Sequence, residues 1–458
     1  MNKLNPFPLP SGHLSGDTFP IFRDGVCHLF HMMPPVIAHH VSCDLLHWEE
    51  RPVVVAPGSP GEPDCHNNAT GNVVEQDGRF YLFYTGNQNV CLAISDDLDH
   101  WVKHPTNPLV AGDDRLYASA DFRDPFVFWN EEEARWWMLI GTRVTGVTAA
   151  RGGCIGLAVS DDLLHWTLRP PLWAPGIGPH CDCPQLLRVE DRWHLLYLQR
   201  NTRCRVAPSP AGRFRRPPVR SLGTMQMAAG SRPAWDGRRW VSFPFLFGLQ
   251  GEMDLGTPSY GGPLAIPRQL AFHRDGTVSE RPVEEVLAAV RALPDPGDPL
   301  AQAQSLVGRW TILPRKAAST GPDGGTLLLP GIAADAYLEF SVCLETADSD
   351  FHLLLRTDAE LRQGYQLALH PRTGQVSFRS ISKWDTDRVL ASRSVDLCPG
   401  RSISLRAFLC GSLLEVFIDD RVSLTCRVYD HVAGMPALEL RDGAGVVDSI
   451  CWRPLTKE

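Results

Sequence analysis

A seven-residue motif recurs three times in the first half of the chain. Ser42-Cys43-Asp44-Leu45-Leu46-His47-Trp48 returns as Ser95-Asp96-Asp97-Leu98-Asp99-His100-Trp101 and again as Ser160-Asp161-Asp162-Leu163-Leu164-His165-Trp166. All three share Ser-x-Asp-Leu-x-His-Trp, and a Pro-containing segment follows each. A second element, a turn leading into an aromatic-rich run, occurs five times, beginning at Asp24, Asp77, Glu133, Asp191 and Asp236. Asp-Gly between apolar runs is a hairpin signal. Hairpins repeated every 45–60 residues or so match a propeller blade, a four-stranded sheet set around an axis. Five copies predict a five-bladed β-propeller over residues 1–277. A sandwich with accidental self-similarity is the alternative, and five regularly spaced copies argue against it.

The remainder of the chain changes character. Val283–Arg291 has a short helical pattern, and Pro294-Asp295-Pro296-Gly297-Asp298-Pro299 breaks it. Residues 278–307 are therefore read as a linker with a short helix. From 308 to 458, alternating runs such as 337–342, 351–356, 375–379 and 413–418 predict a β-sandwich. The fold class is all-β, a five-bladed propeller followed by a sandwich. The 39 glycines and 38 prolines suit many short strands and tight connections.

Composition narrows the partners. With 44 basic and 52 acidic side chains the formal charge is -8, which repels phosphate backbones and argues against nucleic acid. No apolar run reaches the roughly 18 residues of a membrane span, and Met1–Pro6 has no leader-like apolar stretch. Thirteen cysteines, an odd number at irregular spacings, fit reduced thiols in a cytoplasm. Neither Cys181-Asp182-Cys183 nor Cys65-His66 has the usual spacing of a zinc site, so no metal is expected.

In a propeller the innermost strands converge on a funnel. Asp17, Asp124 and Asp182 each lie one strand ahead of an aromatic hairpin strand, which places them on inner strands of the first, third and fourth blades. Converging carboxylates suit glycoside hydrolysis: one attacks the anomeric carbon, one stays protonated and donates to the leaving oxygen, and another hydrogen-bonds sugar hydroxyls. Crowded negative charge helps to keep a proton on one of them. Each also has a structural reading. Asp17 suits a turn after Gly16, Asp124 a salt-bridged core residue beside Arg123, and Asp182 a loop. The aspartates of the repeated motif are read as turn caps and its tryptophans as inter-blade packing, with Trp48 also a candidate for the funnel wall.

Several segments together resemble glycoside hydrolase family 32, the invertases, inulinases, levanases and related β-fructofuranosidases. They are Gly16-Asp17 with His28-Leu29-Phe30, Ala69-Thr70-Gly71-Asn72, Arg123-Asp124-Pro125, Asp182-Cys183-Pro184, and Leu414–Asp420 with Thr425–Tyr429. The resemblance covers nearly the whole chain. It implies Asp17 as nucleophile, Asp124 as transition-state stabiliser and Asp182 as acid/base, with Arg123 orienting the acid and touching the sugar. It also places Thr70 and Met32 at substrate-binding positions. The implied partner is a small oligosaccharide, with no metal or organic cofactor.

The departures from the family pattern are pronounced. The nucleophile block, usually Asn-Asp-Pro-Asn-Gly, reads Gly16-Asp17-Thr18-Phe19-Pro20. Met32 stands where Gln is frequent. The acid/base position, normally Glu, is Asp182, whose side chain is shorter by about 1.5 Å. A misplacement of that order can cost around 100-fold in rate. The expectation is a retaining β-fructofuranosidase acting on sucrose- or fructan-type sugars. Fructosyl transfer, difructose-anhydride processing, another furanosidase such as an arabinofuranosidase, and a carbohydrate-binding protein with a degenerate site are the alternatives. Carboxyl separation distinguishes retention, at about 5–5.5 Å, from inversion, at about 6.5–9.5 Å. The sandwich is read as a packing partner that leaves room for subunit contacts in a homo-oligomer, and Trp384 as a sugar platform or a structural aromatic.

Overall fold

The computed structural model describes residues 15–199, 201–219, 222, 228–382 and 388–455. Trp384 and the residues read for a leader lie outside these. The first part of the chain is a five-bladed β-propeller. Blade 1 is built from Thr18–Arg23, Val26–Met33, Val36–Ser42 and Glu49–Val55, each strand antiparallel to the next. Blades 2 and 3 repeat the pattern, with Asn68–Gln76 and Tyr117–Asn130 as their innermost strands. Blade 4 has three described strands, beginning with Asp182–Val189. Blade 5 runs from Ala234–Trp235 outward to Val278–Pro282.

Local chemistry explains the repeats. Asp24-Gly25 and Asp77-Gly78 both take positive φ, at 50° and 78° and at 53° and 77°. Such paired left-handed residues turn a hairpin with the twist of its strands. The Ser-x-Asp-Leu-x-His-Trp motif forms the next connection. In the second copy, Ser95 Oγ accepts the Leu98 N–H at 2.9 Å, and Asp97 Oδ1 accepts those of Asp99 and His100 at 2.9 and 2.8 Å. These bonds hold Leu98 at φ 68°, a costly conformation for a leucine. The first and third copies make the same bonds.

The repeated tryptophans join the blades in order. Trp101 of blade 2 meets Phe30 of blade 1 edge-on with centroids 5.9 Å apart, and Trp166 of blade 3 meets Phe83 of blade 2 at 5.6 Å. Trp48 of blade 1 meets Phe243 of blade 5 at 5.5 Å, so the third contact closes the ring. Closure continues on the inside, where the Thr18 N–H donates to Gly230 O at 2.7 Å and the Arg232 N–H to Thr18 O at 2.9 Å.

The second part is a β-sandwich of two seven-stranded antiparallel sheets. Alternating residues such as Phe340, Val342, Leu353, Leu367, Leu405, Val416 and Leu438 fill the space between them. Strand Val278–Pro282 pairs with Arg268–Phe272 in blade 5, and Gln304–Gly308 pairs with Gly324–Leu328 in the sandwich. Both ends of the segment expected to be linker, 278–307, are thus strands, because each continues an antiparallel ladder. Helix Glu284–Arg291 lies between them and buries Val286, Leu287 and Val290.

The two parts share one packed seam. Phe243, Phe245 and Ile266 of the propeller cluster with Tyr337, Phe408 and Phe417 of the sandwich. Within this seam Arg268, 1 % exposed, bonds Glu280 at 2.9 Å and, across the domains, Glu415 at 2.7 Å and Thr425 Oγ1 at 2.9 Å. Removing the cation takes the counter-charge from the buried Glu415 carboxylate, which costs about 3–5 kcal/mol. Arg268→Ala is therefore expected to lower the stability of the chain by that order, measured by denaturant unfolding. A loss below about 1 kcal/mol would show that the cluster is not a structural tie.

Candidate active site

The funnel is shaped by irregularities in three inner strands. Pairing in blade 2 shifts register between Ala69 and Gly71, placing Thr70 in a bulge. In blade 3 the shift lies between Arg123 and Phe126, at Asp124-Pro125, and in blade 4 between Asp182 and Gln185, at Cys183-Pro184. A bulge bends the strand and re-aims side chains. Proline suits it because the ladder needs no N–H there. Asp124 and Cys183 both take left-handed backbone, φ 57° and 46°. This gives the Arg-Asp-Pro and Cys-Pro motifs a physical reading: they turn polar side chains out of the sheet ladder into the channel.

Asp17 precedes the first inner strand and is buried. Its Oδ2 accepts bonds from the Thr70 hydroxyl and, at 3.2 Å, from the Cys183 thiol. Its N–H donates to Tyr260 Oη at 3.1 Å. Gly230, at φ 61°, lies against the other carboxylate oxygen, and a Cβ there would collide with it. Asp124 Oδ2 accepts the Cys183 N–H at 2.9 Å, and the Asp124 N–H donates to Thr85 Oγ1 at 2.8 Å. Cys183 thus bridges the two acids, its Sγ lying 3.6 Å from Asp124 Oδ2. Asp182 is mostly buried, with its side chain 24 % exposed, and its Oδ1 accepts Arg123 Nη2 at 2.7 Å. Arg123 Nε lies 3.9 Å from Asp124 Oδ2, so one guanidinium spans both carboxylates.

The three aspartates therefore converge, together with Arg123 and Thr70. Met32 joins them: its sulfur lies 3.2 Å from Thr70 Oγ1 and 3.0 Å from Tyr260 Oη. Trp48 packs on Phe243 at the seam of blades 1 and 5, as the tryptophans of the other two copies of its motif pack between blades.

Four contributors were not picked out by sequence reasoning. Arg232, 3 % exposed, donates to the carbonyls of Gly71, Pro125 at 2.7 Å and Asp124 at 2.8 Å, tying blades 2 and 3 below the acids. The phase that marks the three acids also marks Arg232-Pro233, just ahead of the fifth turn-strand element. Asp121 pairs with Arg123 through Nη1, where Asp182 takes Nη2, and is itself held by Arg143 Nε at 2.5 Å. Cys183 was visible as part of a motif but not as a bridge. Tyr260 carried no signal, since it comes from an irregular stretch.

The electrostatics follow from burial and crowding. Burial, and then the charge of Asp124, push the Asp17 carboxyl up to about 6 against the Thr70 and Cys183 hydrogen bonds. The same two causes push Asp182 up to about 7 against the attraction of Arg123. Asp17, Asp124 and Cys183 offer ligand atoms within 4.8 Å of one another, a spacing able to hold a cation. Burial and the two carboxylates push the Cys183 thiol well up, however, which opposes the thiolate a metal requires.

The propeller funnel thus gathers three carboxylates, and the sandwich packs beside it. Residues 19–231 match the Glycosyl hydrolases family 32 N-terminal domain and residues 304–450 match the Glycosyl hydrolases family 32 C terminal domain. The chain belongs to glycoside hydrolase family 32, whose members are glycoside hydrolases. It is similar to raffinose invertase of Escherichia coli, 27% identical with 92% of this chain and 88% of the relative covered. It is also similar to sucrose-6-phosphate hydrolase of Escherichia coli, at 24% identity with 87% and 81% covered. Among solved structures, fructan 1-exohydrolase IIa from Cichorium intybus superposes with a TM-score of 0.71 at 18% identity, covering 99% of each chain.

Proposed function

We propose that this chain hydrolyses β-fructofuranosides of the sucrose and fructan type by a retaining double displacement. The observation that carries the proposal is the linkage of the three carboxylates, with Cys183 bridging Asp17 and Asp124 and Arg123 linking Asp182 to Asp124. Asp17, ionised, attacks the anomeric carbon while Asp182 gives its proton to the departing oxygen. Arg123 then stabilises the Asp182 carboxylate that proton loss creates. In the second half, Asp182 takes a proton from water, which attacks the fructosyl–Asp17 ester and restores both groups. Asp124, held by the Cys183 N–H and lying beside Arg123, takes the sugar hydroxyls in this reading.

The named activities of the two bacterial relatives support a fructosyl substrate, as does the Cichorium intybus fructan 1-exohydrolase IIa solved in complex with 1-kestose. The test is a panel of sucrose, raffinose, 1-kestose, inulin, levan, a difructose anhydride and an aryl arabinofuranoside, with products separated to detect transfer as well as hydrolysis. Release of fructose from at least one fructofuranoside is expected. Cleavage of the arabinofuranoside alone, or binding without turnover, would overturn the assignment.

The pH dependence follows with a definite sign. Asp17 must be ionised, so kcat/KM rises as pH climbs through about 6, and Asp182 must be protonated, so it falls as pH passes about 7. The two limbs belong to an interacting pair and lie close together, giving a narrow maximum between them. A broad plateau in kcat/KM across this range would contradict the assigned roles.

A further inference from the structure

The sandwich carries a second group of ionisable side chains, unconnected with the funnel. Strand Asp350–Thr357 lies between Met435–Arg441 and Gly364–His370. Phe351, Leu353 and Leu355 enter the core, as do Leu367 and Leu369 of the neighbouring strand. Alternation therefore puts Asp350, His352 and His370 together on the outward face. Asp350 Oδ2 lies 2.7 Å from His370 Nδ1, and the rings of His352 and His370 meet edge-on with centroids 6.0 Å apart. The three residues offer ligand atoms that all lie within 4.8 Å of one another.

The histidine at the centre has an unexplained nitrogen. His352 is 3 % exposed, and its Nδ1 lies 2.9 Å from Glu439 Oε2. The Gln366 amide sits 3.0 Å from the same Nδ1. The Glu439 carboxylate can only accept, so Nδ1 carries the hydrogen towards it, the Gln366 amide presents its oxygen rather than its nitrogen to that N–H, and the lone pair is left on Nε2. That Nε2 is enclosed and has no hydrogen-bond partner among the described residues. A buried polar atom without a partner calls for an explanation. An imidazole held by a carboxylate at one nitrogen, with the other bare, is the usual setting of a metal-ligating histidine.

We propose that Asp350, His352 and His370 form a binding site for a divalent first-row cation, with Zn²⁺ the best match to two imidazoles and one carboxylate. Asp350 and His370 have side chains 26% and 22% exposed, which gives the cation a route in and leaves a fourth position to water. On binding, Asp350 exchanges its contact with His370 for the metal. With bonds of about 2.0 Å, the three ligand atoms draw together by side-chain rotation. The cation then clamps two neighbouring strands on the outside of the sandwich, so its effect is on stability.

The test uses the tag-free, chelator-treated full chain titrated with Zn²⁺ by calorimetry and with Co²⁺ by visible absorption. One equivalent is expected to bind, with the ligand-field bands of a low-coordinate nitrogen–oxygen site for Co²⁺ and a higher melting temperature with Zn²⁺. His370→Ala and Asp350→Asn, both away from the core, should each weaken binding by about tenfold or more, and Asp17→Asn should leave it unchanged. Absence of saturable binding, or equal binding by the native chain and both sandwich variants, overturns the proposal. Binding lost only in Asp17→Asn also overturns it, because the cation would then sit on Asp17, Asp124 and Cys183.

Discussion

Asp17→Asn is expected to lower kcat/KM on a fructofuranoside by about 10⁴-fold or more, with the fold intact and sugar binding retained. The replacement is nearly isosteric, and its amide oxygen can still accept from Thr70 and Cys183. What it loses is the nucleophile, and loss of a group that forms the covalent intermediate removes most of the catalysis. Circular dichroism and binding of an unhydrolysed fructoside check the fold and the site. A steady-state assay on sucrose or 1-kestose reads the effect. In Asp17→Ala, which vacates the carboxylate site, azide should restore part of the activity and should give a fructosyl azide of inverted configuration. Hydrolysis that survives Asp17→Asn unchanged removes Asp17 from the mechanism.

Replacing Asp182 tests the other half of the chemistry. Asp182→Asn keeps the side-chain shape but has no proton to give. The expected loss is about 10²–10⁴-fold on natural sugars, the range for a general acid. It should be much smaller on an activated aryl fructoside, whose leaving group needs little help, and the alkaline limb of kcat/KM should disappear. Asp182→Glu asks a finer question. The donor would advance by about one carbon–carbon bond, roughly 1.5 Å. Arg123 cannot retreat to match, since it is also paired with Asp121. A fall of around 100-fold is expected, the order associated with a misplaced catalytic group. Higher activity in Asp182→Glu than in the native chain would show that the native donor is badly placed.

Much of this molecule is written locally. The Asp-Gly turns and the Ser-x-Asp-Leu-x-His-Trp motif act through bonds within a few residues, so their repetition reveals blades and their number. The phase of Asp17, Asp124 and Asp182 relative to those turns places them on inner strands, because a blade's strand order follows the chain. The features that escaped are contacts closed over long separations. Trp48 meets Phe243 only because ring closure brings blades 1 and 5 together. Arg232 reaches carbonyls more than a hundred residues away. Tyr260 reaches Asp17 from an irregular segment without periodicity. The edges of the linker were hidden for a related reason: 278–282 and 304–308 become strands only through the ladders that receive them.

The stereochemistry of the first product tests the central claim, that Asp17 and Asp182 work as nucleophile and acid/base on one fructosyl group. Sucrose is turned over in aqueous methanol, and the methyl fructofuranoside formed is identified by NMR before any secondary hydrolysis. Two successive displacements leave methyl β-fructofuranoside. Formation of the α-anomer as the first product contradicts a covalent intermediate on Asp17.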